Sequence, residues 1–548
     1  MNLVRALKGK IEGKVTQGKK TLERYSTDAS IFSETPTAVV FPKKVADIAT
    51  LVRFVSTLKD KYPKLSLTAR AAGTDMGGGP LTESVVVAFT KYFNHFSIRG
   101  KTATVEPGVY YRDFEKATHK HGLELPSYPA SKSIAALGGM LANNSGGEKT
   151  LRYGKTNKYV RSLKVVLSDG NTYTLKKLTQ AALKKKMAQR DFEGTVYRKT
   201  YHLLEKHYDA VQKARPNVSK NSAGYALWDV WDKQYFDLTQ LFVGSQGTLG
   251  LIAQGTLELI PVKTHRRLGV LYLKSIDQLP DLVNKLIPLK PESLETFDDA
   301  TLKLALRFLP EIAQKVPGLS FWQLLAKFIP DALIGVRMLG IPKLIILVEF
   351  AEDEESLVHQ KLDRLGELAH RQGVPVRLIR ENDDAEAYWT VRRQSFNLLR
   401  KHVADKQATP FVDDFIVQPK YLPKVLPKIY DILDSHGIHA TLAGHAGSGN
   451  FPIIPIMNLS ERDMEADIFK VADEVYNVVL AYHGSITAEH NDGLIRSPYL
   501  EKMYGKEIYG LFQEVKKIFD PKNIFNPGKK VNASRAFAEV HVKTRKNA

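Results

Sequence analysis

The 548-residue sequence contains no cysteine. Disulfides, thiolate metal centres, cysteine-bound iron–sulfur clusters and cysteinyl cofactor links are therefore excluded from this chain. The absence leaves the compartment open, because a reducing cytosol tolerates it and an oxidising space does not forbid it. Long hydrophobic runs are missing too. No stretch reaches the roughly 20 apolar residues that cross a bilayer. The nearest, 321–345, is broken by Lys327, Pro330, Asp331, Arg337 and Pro342. It reads as a buried or capping helix, with a place on a membrane surface as the alternative. The first twenty residues lack a continuous apolar core, so no secretory signal is expected. A cytoplasmic location, with peripheral membrane contact left open, is the default expectation.

What is present is an ordinary globular composition, 43% hydrophobic and 25% charged. The length exceeds one ordinary core and calls for two or more domains. The formal charge is +20, from 79 basic and 59 acidic residues. Its clusters at Lys8–Lys20, Lys176–Arg190 and Lys543–Lys546 come without any zinc-finger, helix-turn-helix or aromatic-basic RNA signature. Nucleic acid is not an expected partner. A basic surface that draws in small anions or lipid headgroups is.

Strand and helix patterns alternate along the first part. Short apolar runs at 38–42, 65–69, 84–89 and 102–108 read as strands, and 45–58 and 111–121 as helices. A strand, a Ser-Asp-Gly turn and a second strand predict a hairpin over 163–175. Beyond 265, two strand-plus-helix stretches look alike, one starting at Leu268 and one at Leu344. Each lays an amphipathic helix on a sheet, as a substrate-covering domain would. The predicted division is 1–265, 266–496, a C-terminal segment 497–535, and a basic, disordered tail 536–548.

Four glycine-rich or turn-rich segments come after apolar stretches. Arg70-Ala71-Ala72-Gly73-Thr74-Asp75-Met76-Gly77-Gly78-Gly79 matches neither GxGxxG nor GxxxxGKS/T. Its four glycines let backbone amides approach phosphate oxygens. The others are Leu137 to Gly147, Phe242 to Ile252 and Asn526-Pro-Gly-Lys529. One such loop is an unremarked turn; four in one chain suit a large polar ligand.

Together these segments resemble the vanillyl-alcohol-oxidase superfamily, whose FAD domain is of the p-cresol-methylhydroxylase type. The likeness runs from Tyr25-Ser-Thr-Asp28 to Lys529. It implies an α+β fold: a two-part FAD-binding domain, an α+β substrate (cap) domain with an antiparallel sheet, and a C-terminal segment returning to the FAD domain. It also implies that 70–79 meets the FAD pyrophosphate, with Arg70, Ala71, Ala72, Gly73, Thr74, Asp75, Met76 and Gly77 in contact. Pro126, Ser131, Gly138, Gly139, Asn143, Ser145 and Gly146 take the ribityl and isoalloxazine side, joined by Tyr153 and Ile252, and Asn526 closes the site. Members with covalent flavin often carry histidine where this chain has Thr74, so FAD is expected to be non-covalent.

The C-terminal half resembles the D-2-hydroxy-acid dehydrogenases of the D-lactate, glycolate and D-2-hydroxyglutarate types. In Trp389-Thr-Val-Arg392-Arg393-Gln-Ser-Phe396, Arg392 takes the position that binds the substrate carboxylate. In Gly484-Ser-Ile-Thr-Ala-Glu489-His490-Asn-Asp-Gly493, His490 takes that of the general base, with hydride passing to flavin N5. Glu489 matches a ligand of a divalent metal, zinc or manganese. Gly444-His445-Ala-Gly-Ser448-Gly-Asn450-Phe-Pro452 supplies a second ligand, His445, but departs at the third, where histidine is replaced by Pro452. Asn450 or His483 would have to complete the site, so metal retention and metal loss both stay open.

Relatives with a stretch like Glu489 to Ser497 are often joined to an iron–sulfur module, which this cysteine-free chain cannot hold. A separate electron acceptor, a quinone or a redox protein, is expected. Two rival readings remain: an alkyl-glycerone-phosphate-synthase-like flavin transferase, and a degenerate FAD-binding protein without catalysis.

Overall fold

The computed structural model describes residues 2–308, 310–311, 321–380, 385–390, 392–393, 407–408, 410–451, 453–457 and 464–543. Pro452 and 394–396, on which two sequence readings fall, lie outside the described residues.

The chain opens with a four-stranded sheet: β1 (Lys14–Thr16), β2 (Ala38–Phe41), β3 (Leu67–Arg70) and β4 (Val85–Ala88), in the order β1-β2-β4-β3. β2 and β3 both run parallel to β4, joined by α1 (Val45–Leu58). Ile48, Leu51, Val52 and Val55 recur at three- and four-residue steps in α1 and are buried against the sheet. A second, antiparallel sheet contains β5 (Phe96–Arg99), β6 (Thr102–Val105), β7 (Val160–Val166), β8 (Thr172–Lys176) and β9 (Leu251–Glu258), in the order β5-β6-β9-β7-β8. Between β6 and β7 lies α2 (Leu137–Asn143), which ends on Asn144 in the left-handed conformation.

The second unit is a seven-stranded antiparallel sheet. It uses β10 (His265–Leu273), β11 (Ser293–Asp298), β12 (Leu344–Glu352), β13 (Val376–Ile379), β14 (Gln407–Ala408), β15 (His439–Gly444) and β16 (Ile453–Met457). Their order is β13-β10-β12-β11-β15-β16-β14. Both faces of its centre are covered, which explains the unbroken apolar run in β12. Leu344, Ile346, Val348 and Phe350 pack with α3 (Leu279–Leu286), α4 (Glu355–Arg371), α5 (Leu422–Ser435) and α6 (Met464–Ala481). Ile345 and Leu347 instead meet Met338, Tyr388 and Trp389 on the other face. The two alike stretches are thus neighbours: β10 and β12 pair along nine residues, and α3 and α4 lie on one side.

α7 (Leu500–Phe519), bent at Gly505, leads the chain back to the first unit. Leu67 of β3 donates to the Ile524 carbonyl at 2.7 Å and accepts from the Asn526 amide at 2.9 Å. The fold therefore has the two-part architecture and returning segment expected. The tail differs. Arg535–Val540 is helical, Ala538 and Val542 are buried, and Val542 bridges Phe32. Two apolar residues in that basic stretch find a cover over Ile31 and Phe32, so 536–543 is ordered. No helix among the described residues is long and apolar enough to cross a membrane.

Candidate active site

β3 delivers Arg70 to the mouth of a cavity of about 600 Å³. The Arg70 guanidinium donates to the carbonyls of Tyr25 (3.1 Å) and Thr27 (2.6 Å), so its donors fasten the preceding segment to the loop. Gly73 then turns with φ +75°, a conformation that favours glycine. Asp75 organises the rest of the loop. Its Oδ2 accepts the amides of Gly77 (3.1 Å) and Gly79 (2.7 Å), and its Oδ1 accepts Asn143 Nδ2 at 2.6 Å. Gln246 reaches Asn143 Oδ1 (3.3 Å) and accepts the Gly493 amide (2.9 Å). Asn526 donates to the carbonyls of Gly79 (2.9 Å) and Gln246 (2.8 Å). Five distant segments are knotted by one set of hydrogen bonds.

The cavity is lined by Arg70 to Met76, by Ser131, Gly138, Gly139, Asn143, Ser145 and Gly146, and by Ile252. Four expected residues do not line it. Gly77 packs on the Asp492–Gly493 backbone, Pro126 is buried beside the wall, and Tyr153 sends its hydroxyl to Glu292 at 3.0 Å. Asn526 acts through the hydrogen bonds above. The glycines keep the wall close: a Cβ on Gly138 would stand 2.5 Å from Pro107 Cβ. One on Gly146 would stand 2.7 Å from Thr150 Oγ1 and 3.4 Å from Glu489 Oε1. An elongated groove with a hydrogen-bonding floor fits a dinucleotide.

The same cavity reaches Arg392, His445, Glu489 and His490. His490 Nδ1 stands 2.8 Å from Asp413 Oδ2, whose other oxygen accepts Arg496 at 2.6 Å. Asp414 Oδ2 accepts the amides of Glu489 (2.9 Å) and His490 (2.8 Å) and the Thr487 hydroxyl (2.6 Å), which fixes the backbone beneath the ring. Burial disfavours a charged imidazole, yet the Asp414 and Asp413 carboxylates outweigh it and push His490 up to about 9. Burial would likewise keep Asp413 protonated, but His490 and Arg496 hold it below the usual carboxylate range. Arg392 gives one guanidinium nitrogen to Glu295 at 3.0 Å and lines the cavity. Its neighbour Arg393 is occupied by Glu148 (2.7 Å and 3.3 Å).

The residues present do not fit a divalent metal. His445 Nδ1 lies 2.6 Å from Glu295 Oε1, and its Nε2 stands 3.5 Å from Glu489 Oε2. Glu489 Oε1 is taken by the buried ammonium of Lys220. Burial opposes the charge on Glu489, but Lys220 and His445 keep it ionised well below the usual range. The Lys220 ammonium and the His445 ring already meet this carboxylate. Asn450, whose Nδ2 donates to the Phe415 carbonyl (3.0 Å) and Asp414 (3.3 Å), does not line the cavity, and His483 is exposed outside it. Among the described residues no three His, Asp or Glu side chains are grouped to hold a metal ion.

Several of these groups escaped the sequence reading. The pair Asp413-Asp414 inside the apolar run Phe411 to Val417 was a readable signal, because two buried acids there need partners. Lys220 and Glu295 carried none; each reaches the site from a distant stretch of chain.

A model described as "FAD binding domain" matches residues 36–176, and one described as "FAD linked oxidases, C-terminal domain" matches 262–530. The chain is similar to D-2-hydroxyglutarate dehydrogenase of Escherichia coli, 27% identical over 92% of this chain and 49% of the relative. It is similar to the glycolate oxidase subunit GlcD of Bacillus subtilis (27%, over 92% and 91%) and to D-lactate dehydrogenase of Archaeoglobus fulgidus (25%, over 92% and 96%). It spans about half the length of the first of these relatives. Among solved structures, 4-ethylphenol oxidase from Gulosibacter chungangensis superposes with a TM-score of 0.67 over 98% of both chains at 16% identity, a likeness of fold.

Proposed function

Because this chain carries an FAD binding domain and the C-terminal domain of the FAD linked oxidases, we propose that it oxidises a D-2-hydroxy acid, D-lactate-like, to the 2-keto acid. One observation carries the reading. A single cavity joins the glycine-lined groove to Arg392 and to His490 backed by Asp413. Relatives that act on such acids align along nearly the whole chain.

In this reading Arg392, which lines the cavity, holds the substrate carboxylate. The Asp413 carboxylate stands 2.8 Å from His490 Nδ1, which leaves Nε2 to take the hydroxyl proton. His445, between Glu295 and Glu489, lines the same cavity. Non-covalent FAD, held by the loops at 70–76 and 138–146, supplies the acceptor for the hydride from C2. No metal takes part. Electrons then pass to a separate acceptor, a quinone or a redox protein.

The test is an anaerobic screen of 2-hydroxy acids against the flavin-loaded protein. Bleaching of the flavin by a D-2-hydroxy acid, and not by its L-enantiomer, is the expected result. Retained FAD with no bleaching by any hydroxy acid would overturn the proposal.

A further inference from the structure

Twelve large apolar side chains are exposed among the described residues, and seven of them fall between Trp322 and Ile341. That concentration is not the scatter of single apolar residues ordinary surfaces show. Two short helices, Phe321–Lys327 and Ile329–Arg337, form this segment. Trp322 (73% exposed), Ile329, Leu333, Val336 (73%) and Leu339 (94%) repeat at three-, four- and seven-residue steps, so they make one outward stripe. The inner side is apolar as well: Phe328, Ile334 and Met338 pack on Tyr272, Tyr388 and the cap sheet. A helix apolar on both sides has a second apolar phase to meet.

Charge indicates which phase. The only acid in 321–343 is Asp331, and it is turned inward onto Arg377 (2.5 Å) and the hydroxyls of Tyr272 and Tyr388. The outward side carries the exposed Arg337 and no acid, in a chain of net charge +20, while Lys343 is paired with Asp299 at 3.2 Å. A second copy of the chain would bring the same basic face against itself. An apolar stripe with an exposed arginine and no outward acid, on a basic chain, matches the boundary between anionic headgroups and acyl chains.

We propose that the segment 321–341 docks this protein on an anionic lipid bilayer. The segment is linked toward the cavity from its inner side. Arg377 bonds the Lys327 carbonyl (2.7 Å) and the Tyr388 hydroxyl (2.6 Å), and Tyr388 stands one turn before Arg392. Docking therefore holds the substrate-binding arginine close to the membrane, where a lipid-soluble acceptor would be met. The docking itself does not depend on the reaction proposed above.

The experiment is flotation of the full-length, flavin-loaded protein with vesicles of phosphatidylcholine alone or mixed with phosphatidylglycerol. Wild type should rise with the anionic vesicles and less with neutral ones, and high salt should weaken the binding. Leu333→Asp with Val336→Asp, both exposed positions, should cut partitioning about tenfold or more, with FAD content and melting temperature unchanged. A blue shift of tryptophan emission on adding anionic vesicles, absent in Trp322→Ser, would support the same face. Three results would overturn the proposal. Wild type could stay with the soluble fraction, the double variant could float like wild type, or the variant could only convert a dimer to a monomer.

Discussion

The sharpest consequence of the site concerns the pH at which His490 can accept a proton. With two carboxylates beside it, the imidazole titrates at about 9, so at pH 7 only about one molecule in a hundred carries it neutral. If His490 is the base, the rate of flavin reduction under limiting substrate should rise roughly tenfold per pH unit through neutrality and level off near 9. Asp413→Asn removes one of the two carboxylates and leaves Asp414. An opposite charge at this distance moves a pKa by about 1–3 units, so the midpoint should fall by about a unit or more. The plateau should fall as well, because the ring loses the group 2.8 Å from Nδ1 that orients it. The measurement is anaerobic stopped-flow bleaching of the flavin across the pH range, with wild type and variant run side by side. A flat wild-type profile up to pH 9, or an unmoved midpoint in Asp413→Asn, would refute the reasoning.

His490→Ala should keep FAD and slow reduction by roughly a hundredfold or more; near-normal single-turnover rates would remove this residue from the chemistry. Arg392→Met should raise KM about tenfold to a hundredfold, the cost of a charged hydrogen bond to a carboxylate, while an aldehyde or alcohol lacking the carboxylate should be affected far less. Purified protein should hold well under one equivalent of divalent metal, and chelator treatment should not change turnover. Lys220→Met strands Glu489 as a buried charge and should lower stability by about 3–5 kcal/mol, read from denaturant unfolding; an unchanged midpoint would mean the ammonium is not its partner. Gly138→Ala should weaken FAD retention, because the new Cβ would meet Pro107 at 2.5 Å, and normal retention would show that the wall can give way.

Local patterns in the sequence carried much of the fold. α1 over 45–58 was legible because its apolar residues repeat at helical spacing, and the hairpin of β7 and β8 because a Ser-Asp-Gly turn divides two apolar runs. The order of seven strands in the cap was not, since register and neighbours depend on contacts remote in sequence. The site divided the same way. Glycine-rich loops and the Glu489-His490 segment are contiguous and visible. What makes His490 basic, however, comes from Asp413 and Asp414, 76 or more positions away. The metal reading left open by Pro452 turned on Lys220, whose loop gave no sign that its ammonium enters the core.

The returning segment bears on the order of events during synthesis. β3, β4 and α1 leave the ribosome early, and domains tend to fold as they emerge. Yet the strand beside β3 comes from 524–526, and Asn526 holds Gly79 to Gln246. The groove cannot take its final shape until the chain has been translated past Asn526. Cofactor capture is thus a late event, and nascent chains stalled before this segment should carry little flavin even where their sheets have formed.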